Sequence, residues 1–459
     1  MIHPTRRNVL GGMAALALAR PARAATDAAP ILRAEPGRVR LAPEGYPETD
    51  IWGYGGTAPG AGIRARQGDR ITRLFENAIP RDSSVHWHGI RLPNAMDGVP
   101  GMTQPPVPEG GTFLYDFALP DAGTFWYHPH LNSLEQVGRG LTAPLIVDEA
   151  DPPEVDADLT LMLNDWRLDA EARIAEGWDD LHDRAHAGRI GNYMTVNGRP
   201  VDSHAADAGA RLRLRIINAA TDRIVMLGTF GLRAHLVALD GMPLADVAPV
   251  EEVLLGPAQR ADLIADVAAE PGERAYLTML ERDGAYEVLR IEVGGRAGAA
   301  LRPAPAPLPP NPVADPVTEG ARGVELVMAG GAMGRMGEAR TADGILRPMG
   351  DLAQRGLVWS MNGIAGMAGE PLAEIARGET LRIRMVNDTA WPHAMHLHGH
   401  HFREVTEAGP GPLRDTLLVL PDERREIAFA ADNPGDWMVH CHMLSHQAGG
   451  MMSWVRVLG

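Results

Sequence analysis

Cysteine is almost absent from this chain of 459 residues, which has a single one, Cys441, against 17 histidines. One thiol cannot form an intrachain disulfide, so Cys441 is either incidental or a reagent or metal ligand. Aromatic residues are also scarce, at 5%, and only 22% of the residues are charged. Hydrophobic residues nevertheless make up 45%, which is enough for several cores and excludes overall disorder. The length favours about three domains.

Positive charge is outnumbered, and no long apolar run occurs. The chain has 43 Lys and Arg against 59 Asp and Glu, a formal net charge of −16. This balance argues against a nucleic-acid partner. The apolar segment near the N-terminus, Val9 to Ala19, is well short of the roughly 20 residues that span a bilayer. We therefore expect no membrane partner either.

The N-terminus has the pattern of an export signal. Arg6 and Arg7 precede the apolar segment, and Ala22-Arg23-Ala24 follows it. Paired arginines, a short apolar segment and an A-x-A cleavage site are typical of a twin-arginine signal peptide. The pattern predicts a signal over residues 1–24 and a periplasmic protein, with a soluble N-terminal helix as the alternative. Because this route exports folded proteins, it also favours a bound cofactor.

A short pattern occurs three times in the chain. Each copy has a glycine turn, an alternating strand and a terminal asparagine, at 68–77, 209–218 and 378–387. The copies are too far apart for a solenoid. Helical periodicity is weak outside about 168–184. The repeat therefore predicts an all-β chain of three β-sandwich domains.

Two stretches mark the domain boundaries. Residues 301–316 are rich in proline and have the composition of an extended linker, and an acidic stretch with prolines occupies 148–153. We predict a first domain at 25–150, a second at 151–300, a linker at 301–318 and a third at 319–459.

Four H-x-H motifs occur at matched positions in the first and third copies of the repeat, and the second copy has none. One motif of this kind is a weak signal, but four matched ones are hard to explain without a metal. Neither outer domain has enough imidazoles for a cluster by itself, so we expect the cluster in the cleft between them. Neutral imidazole suits copper, iron, nickel and zinc. The eight histidines are His86, His88, His128, His130, His396, His398, His440 and His442.

Cys441 lies between His440 and His442. Residues i and i+2 of a strand share one face and residue i+1 takes the other, so the thiolate faces away from both imidazoles. His393, His446 and Met451 complete a set of two His, one Cys and a distant Met, which is the ligand set of a blue-copper electron-transfer centre. Structural zinc sites are the alternative, but zinc usually takes four ligands in one compact set. The first domain has Ser83, Pro129, Leu134 and Arg139 at the corresponding positions.

These motifs resemble those of the multicopper oxidases, a laccase-like family. The resemblance rests on HWHG at 86–89, HPH at 128–130, HAMHLHG at 393–399 and HCHMLSHQAGGM at 440–451. It covers essentially the whole chain after the signal. It implies that the three β-sandwich domains are cupredoxin-like Greek-key domains.

The resemblance also implies four copper ions and their ligands. His393, Cys441, His446 and Met451 would hold the type 1 copper, and His86 and His396 the type 2 copper. The implied reaction couples four one-electron oxidations at the type 1 copper to reduction of O2 to water at a trinuclear cluster. The expected partners are O2 and a small one-electron donor, and we expect a monomer. The six implied type 3 ligands are His88, His128, His130, His398, His440 and His442.

Two residues bear on proton delivery. Asp97 matches the family position of an acid that supplies protons for O2 reduction, although Asp97-Gly98 is also a turn pair. Gln447 stands where several bacterial members have a carboxylate, and an amide cannot donate a proton in the same way.

The electron donor stays open at this point. Phenols and aromatic amines are favoured by the laccase-like motifs. Methionines between 328 and 367 raise cuprous ion as an alternative, because thioethers favour Cu(I), and filling of the core or of loops is their other possible role. Ferrous ion and a copper-buffering protein without turnover are further alternatives.

Overall fold

Residues 29–297 and 301–459 are described by the computed structural model. The first part of the chain forms two four-stranded sheets, in the orders β2-β1-β4-β6 and β3-β8-β7-β5. A short helix covers Ser133–Gly138. The predicted signal at 1–24 lies outside the described residues. The strands are β1 (Ile31–Val39), β2 (Thr49–Tyr54), β3 (Ile63–Arg66), β4 (Arg70–Asn77), β5 (His86–His88), β6 (Thr112–Ala118), β7 (Gly123–His128) and β8 (Ala143–Asp148).

The middle part forms a six-stranded and a five-stranded sheet, in the orders β10-β9-β12-β17-β14-β15 and β11-β19-β18-β13-β16. Its strands are β9 (Ala157–Trp166), β10 (Tyr193–Val196), β11 (Asp202–Ala208), β12 (Arg211–Asn218), β13 (Val225–Phe230), β14 (Leu232–Leu239), β15 (Met242–Pro249), β16 (Glu252–Leu255), β17 (Arg260–Val267), β18 (Arg274–Glu281) and β19 (Gly284–Arg296).

The last part repeats this plan, with sheets β23-β20-β25-β30-β27-β28 and β24-β32-β31-β26-β29 and a small hairpin, β21-β22. Short helices cover Met349–Gln354 and Leu444–Ala448. The strands are β20 (Arg322–Gly330), β21 (Glu338–Arg340), β22 (Leu346–Pro348), β23 (Trp359–Met361), β24 (Ala373–Ala376), β25 (Thr380–Asp388), β26 (His393–Leu397), β27 (Phe402–Thr406), β28 (Gly409–Arg414), β29 (Thr416–Val419), β30 (Arg424–Ala430), β31 (Gly435–Cys441) and β32 (Met452–Leu458).

The repeated pattern has the same place in all three parts. Strands β4, β12 and β25 each lie between a parallel and an antiparallel neighbour. The terminal asparagine closes the following loop, because its side-chain nitrogen donates to a carbonyl four or five residues later. These bonds are 2.7 Å for Asn77, 2.9 Å for Asn218 and 2.8 Å for Asn387. The asparagine therefore recurs for a structural reason.

The buried apolar side chains explain how the first and third parts are held together. The largest cluster contains residues of both parts, such as Phe75 and Trp437. The middle part has a separate core around Leu214 and Leu263. The proline-rich run forms no helix or strand over 301–318 and lies against the protein. Leu308 packs on the middle part, and Asn311 donates to the Ala122 carbonyl at 2.7 Å.

The segment with helical periodicity, about 168–184, is mostly not helical. Only Leu181–Ala185 is helical, and Asp180 accepts from the backbone at its start. Before it, the Asp169 carboxylate accepts from the backbone nitrogens of Glu171 and Arg173. These bonds close a turn that competes with a helix. Across the described ranges, no helix is both long and apolar enough to cross a membrane.

Candidate metal centres

One candidate centre surrounds the single thiol. The Cys441 sulfur lies 3.7 Å from His393 Nδ1 and 3.8 Å from His446 Nδ1, and the two nitrogens are 3.0 Å apart. All three side chains are fully buried. Met451 is also fully buried, and its carbonyl accepts from the Cys441 nitrogen at 3.2 Å. Two ring nitrogens and a sulfur that converge in this way fit a shared cation.

Hydrogen bonds on the far side of each ring set the direction of these ligands. His393 Nε2 lies 2.9 Å from the Thr389 hydroxyl, and His446 Nε2 lies 2.7 Å from the His186 carbonyl. When each Nε2–H donates, the Nδ1 lone pair is left facing the thiol. Trp359 packs against both rings, with centroid distances of 5.1 and 4.6 Å.

The eight histidines of the H-x-H motifs form the second centre. Potential ligand nitrogens lie within 4.8 Å of one another in three triads, each of which joins the first and third parts of the chain. Nε2–Nε2 distances are 3.0 Å for His398–His440 and 3.2 Å for His128–His442. The triads are His86, His88 and His396; His88, His128 and His442; and His130, His398 and His440.

Buried nitrogens without partners test whether a metal fits here. His86 Nε2, His88 Nδ1 and His396 Nε2 are buried and have no hydrogen-bond partner among the residues that the structure describes. The opposite nitrogens of these rings are engaged: His86 Nδ1 is 2.9 Å from the Asp97 carbonyl, and His396 Nδ1 is 2.8 Å from the Asp415 carbonyl. A buried lone pair without a partner is costly, and a metal ion would satisfy all three. The residues fit the group.

The strands explain why the two centres are separate. Strands β26 and β31 are antiparallel, and their register pairs His396 with His440 and Met395 with Cys441. Because side chains alternate along a strand, His440 and Cys441 point to opposite faces. His393 is an odd number of residues before His396 and therefore faces the thiol.

Burial favours the neutral form of most of these imidazoles. It lowers the pKa of His440 to about 4 and that of His446 to about 4, and it lowers the pKa of His393 and His396 well below the ordinary value. Burial also raises the pKa of the Cys441 thiol. A neutral imidazole is the form that binds metal, whereas the thiol must release its proton when it binds one.

Asp97 lies between two rings of the histidine cluster. One carboxylate oxygen is 2.9 Å from His398 Nδ1, the other is 3.2 Å from His86 Nδ1, and the side chain is almost fully buried. It also lies at a turn, since Gly98 follows with a φ of +79°. Both sequence-based interpretations of Asp97 are therefore compatible with its position.

Sequence reasoning missed several hydrogen-bond partners of the histidine rings. Asp415 touches two rings of the cluster, Thr389 touches His393, and the His186 backbone touches His446. Asp415 and Thr389 stand outside every histidine motif, and His186 comes from the middle part of the chain. Of these residues, only Thr389 lies next to a feature visible in the sequence, because it follows the repeated Asn387 by two residues.

A cavity of about 780 Å³ lies beside the histidine cluster and the helix that carries His446. His130 of the cluster lines it, as do Gln447 and Ala448, which follow His446. Met367 also lines this cavity, whereas Met328 and Met361 belong to the apolar core. Core filling therefore accounts for at least two of the methionines between 328 and 367.

Comparisons with known proteins identify the chain. Two family models described as multicopper oxidase match residues 37–152 and 346–458, the regions that carry the histidine motifs. Multicopper oxidase MmcO of Mycobacterium tuberculosis is 32% identical, in an alignment that covers 98% of this chain and 91% of that protein. The chain belongs to the multicopper oxidase family.

Solved structures agree with this assignment. A multicopper oxidase from Pseudomonas thermotolerans has a TM-score of 0.80 and 33% identity, and covers 93% of this chain and 98% of its own. Lac15 from a marine microbial metagenome has a TM-score of 0.76 and 42% identity, with coverages of 94% and 100%. The predicted all-β, three-domain fold of this multicopper oxidase is confirmed, and its buried His and Cys groups are consistent with the copper sites of the family.

Proposed function

We propose that this multicopper oxidase is laccase-like and takes electrons from phenols or aromatic amines. Bound copper would supply one-electron transfer at Cys441 and O2 reduction at the histidine cluster. Four one-electron oxidations of the donor then balance the conversion of O2 and four protons to two waters. His440-Cys441-His442 carries the proposal, because it joins the two centres through a few covalent bonds.

The chain's own residues would divide the work as follows. His393, Cys441, His446 and Met451 would hold the type 1 copper, and His86 and His396 the type 2 copper. Asp97 would hold a proton at its carboxylate, beside His86 and His398. The type 3 pair would be held by His88, His128, His130, His398, His440 and His442.

We also propose where the protein works and how it is divided. The sequence of residues 1–24 supports export by the twin-arginine route to the periplasm. The sheets fall within the predicted ranges 25–150, 151–300 and 319–459, with the linker at 301–318, and these boundaries are proposed on that basis.

Cys441→Ser tests the central assignment. A serine oxygen cannot give copper–thiolate charge transfer, so the variant should lose the absorption at about 600 nm and all turnover. Its histidine cluster should still bind copper, which metal analysis would measure. A variant that kept either the blue band or turnover would contradict the type 1 assignment.

Cuprous ion is the second candidate donor, because Met367 and Gln447 line the same cavity beside the helix that carries His446. Oxygen consumption by copper-loaded protein should be measured with a phenol and with Cu(I), for wild type and Met367→Leu. The laccase-like proposal predicts uptake with the phenol in both proteins. If wild type consumed oxygen with Cu(I) but not with the phenol, and Met367→Leu lost this consumption, cuprous ion would replace phenols as the proposed donor. No uptake with any donor would indicate copper buffering.

A further inference from the structure

Arg260 lies fully buried where the three domains meet. It is the first residue of β17, in the domain without H-x-H motifs. Its Nε donates to the Thr124 carbonyl of the first domain at 3.1 Å. Its two Nη groups donate to the two carboxylate oxygens of Asp415 in the third domain, at 2.9 and 2.5 Å. The Ala258 and Asp240 carbonyls accept further bonds, at 3.0 and 2.8 Å. The guanidinium thus joins all three domains.

Asp415 passes this contact on to the histidine cluster. Its Oδ1 lies 3.3 Å from His88 Nε2, and its carbonyl lies 2.8 Å from His396 Nδ1. A hydrogen bond on one ring nitrogen determines which nitrogen is left for a metal. The nitrogens left over, His88 Nδ1 and His396 Nε2, are two of the buried atoms without partners. One residue therefore orients two candidate ligands from different domains.

Gly89 shows how tightly this ion pair fits. A Cβ at Gly89 would lie 2.5 Å from Arg260 Nη2 and 2.7 Å from Asp415 Oδ2. Gly89 also has a φ of +85°, which favours glycine. The glycine next to His88 thus leaves the space that the guanidinium and the carboxylate occupy.

We propose that Arg260 is a positioning residue for the trinuclear copper cluster. The inference rests on the proposed copper assignment. Arg260 holds Asp415 through two parallel charge-assisted bonds, which fix both the position and the plane of the carboxylate. Without them, the Thr416 hydroxyl still donates to Asp415 Oδ1 at 2.8 Å. Asp415 Oδ2, however, loses the hydrogen bond from Arg260. The carboxylate can then rotate and release His88.

The test compares three variants of the copper-loaded protein. Arg260→Met removes the guanidinium at similar length. Arg260→Lys keeps the charge but cannot make both parallel bonds. Arg213→Met is the matched control, because Arg213 is also fully buried in the second domain and paired with Glu149 and Asp262, and neither carboxylate bonds a histidine of the cluster. Copper content, the type 2 electron paramagnetic resonance signal, the blue band and steady-state kinetics would be measured.

Arg260→Met should change the type 2 signal and lower the copper content, with a loss of kcat of about 10–100-fold and little change in KM. The blue band should remain, because Arg260 does not contact the Cys441 centre. Arg260→Lys should fall between wild type and Arg260→Met, and Arg213→Met should keep the type 2 signal.

An unchanged type 2 signal and copper content in Arg260→Met would overturn the inference. Equal changes in Arg213→Met would also overturn it, as would joint loss of the blue band and the type 2 signal in Arg260→Met. Either result would indicate that Arg260 has a merely structural role. Wild-type protein that lacked both copper signals would instead overturn the proposed function.

Discussion

At the scale of single residues, the candidate ligand rings are oriented by hydrogen-bond partners that are not candidate ligands themselves. Thr389 illustrates this. Its hydroxyl lies 2.9 Å from His393 Nε2 and also donates to Asn387 Oδ1 at 2.7 Å. The asparagine of the repeat therefore helps to place the hydroxyl that orients a ligand. In the first domain, Asn77 closes the corresponding loop. That loop has no histidine at the position of His393, because Ser83 stands there.

Thr389→Val should shift the blue absorption band and destabilise the protein. Valine has nearly the same shape but leaves the buried His393 N–H without a partner, at a cost of about 1–3 kcal/mol. Spectroscopy of the copper-loaded protein and denaturant unfolding would measure the two effects. Thr278→Val is the control, since the buried Thr278 hydroxyl, within the described ranges, bonds only to the Gly228 carbonyl in the second domain. An equal spectral shift in Thr278→Val would refute the local explanation.

At the scale of elements, the helix Leu444–Ala448 carries His446 and is capped by another domain. The Thr221 carbonyl accepts from the Leu444 nitrogen at 2.9 Å, and Asp222 accepts from the Ser445 nitrogen and hydroxyl, both at 2.9 Å. A helix this short gains little stability from its own hydrogen bonds. Its position, and hence that of His446, depends on the second domain.

The pH dependence of stability should report on this cap. Burial raises the pKa of Asp222 to about 6, from an ordinary value of 3.8. Between these values the folded protein binds the extra proton, so the contribution of Asp222 to stability is lost as pH rises towards 6. For copper-free protein, the free energy of unfolding of Asp222→Asn relative to wild type should therefore rise by up to about 3 kcal/mol between pH 4 and 7.

The comparison with the variant is needed because the buried histidines act in the opposite direction. Their lowered pKa values make the folded protein bind fewer protons in acid, so they favour folding as pH rises. Asp180→Asn is the control for Asp222→Asn, because Asp180 itself is exposed, caps the helix Leu181–Ala185 and has its pKa lowered by those backbone bonds. A pH-independent difference between wild type and Asp222→Asn would contradict the role of this carboxyl.

At the scale of the whole molecule, the second domain contacts both candidate centres. It contributes the His186 carbonyl and Asp222 near Cys441, and Arg260 near the histidine cluster. Three successive carbonyls, of Arg184, Ala185 and His186, accept hydrogen bonds from the third domain. Through these hydrogen bonds, the second domain helps to set the positions of the first and third domains.

Copper removal should lower the Tm of the intact protein. The histidine cluster exists only when the first and third domains are assembled, so copper binds the folded state preferentially. At free copper 1,000 times Kd, one site adds about 4 kcal/mol to the free energy of unfolding. Calorimetry before chelation, after it and after reloading would measure the change. Cys441→Ser should keep most of the shift, and an unchanged wild-type Tm would contradict copper binding between the domains.

The fold and the candidate ligands could largely be predicted from the sequence. Strand alternation is local, so His440-Cys441-His442 already places one thiol and two imidazoles on opposite faces. The repeated glycine-to-asparagine pattern predicts three similar domains, which the structural comparisons confirm. The copper role of each ligand stays a prediction. The helical periodicity over about 168–184 does not produce a long helix, because the Asp169 carboxylate accepts backbone hydrogen bonds that close a turn.

By itself, then, the sequence determined what depends on neighbours along the chain: the strands, the repeat, and the side of each strand on which the thiol and the imidazoles lie. Only the tertiary structure decided which residues hold those ligands in place. Arg260, Asp415 and Asp222 belong to no motif, because their partners are far away in the chain. Their role depends on how three domains pack, and no local spacing encodes a contact between residue 260 and residue 415.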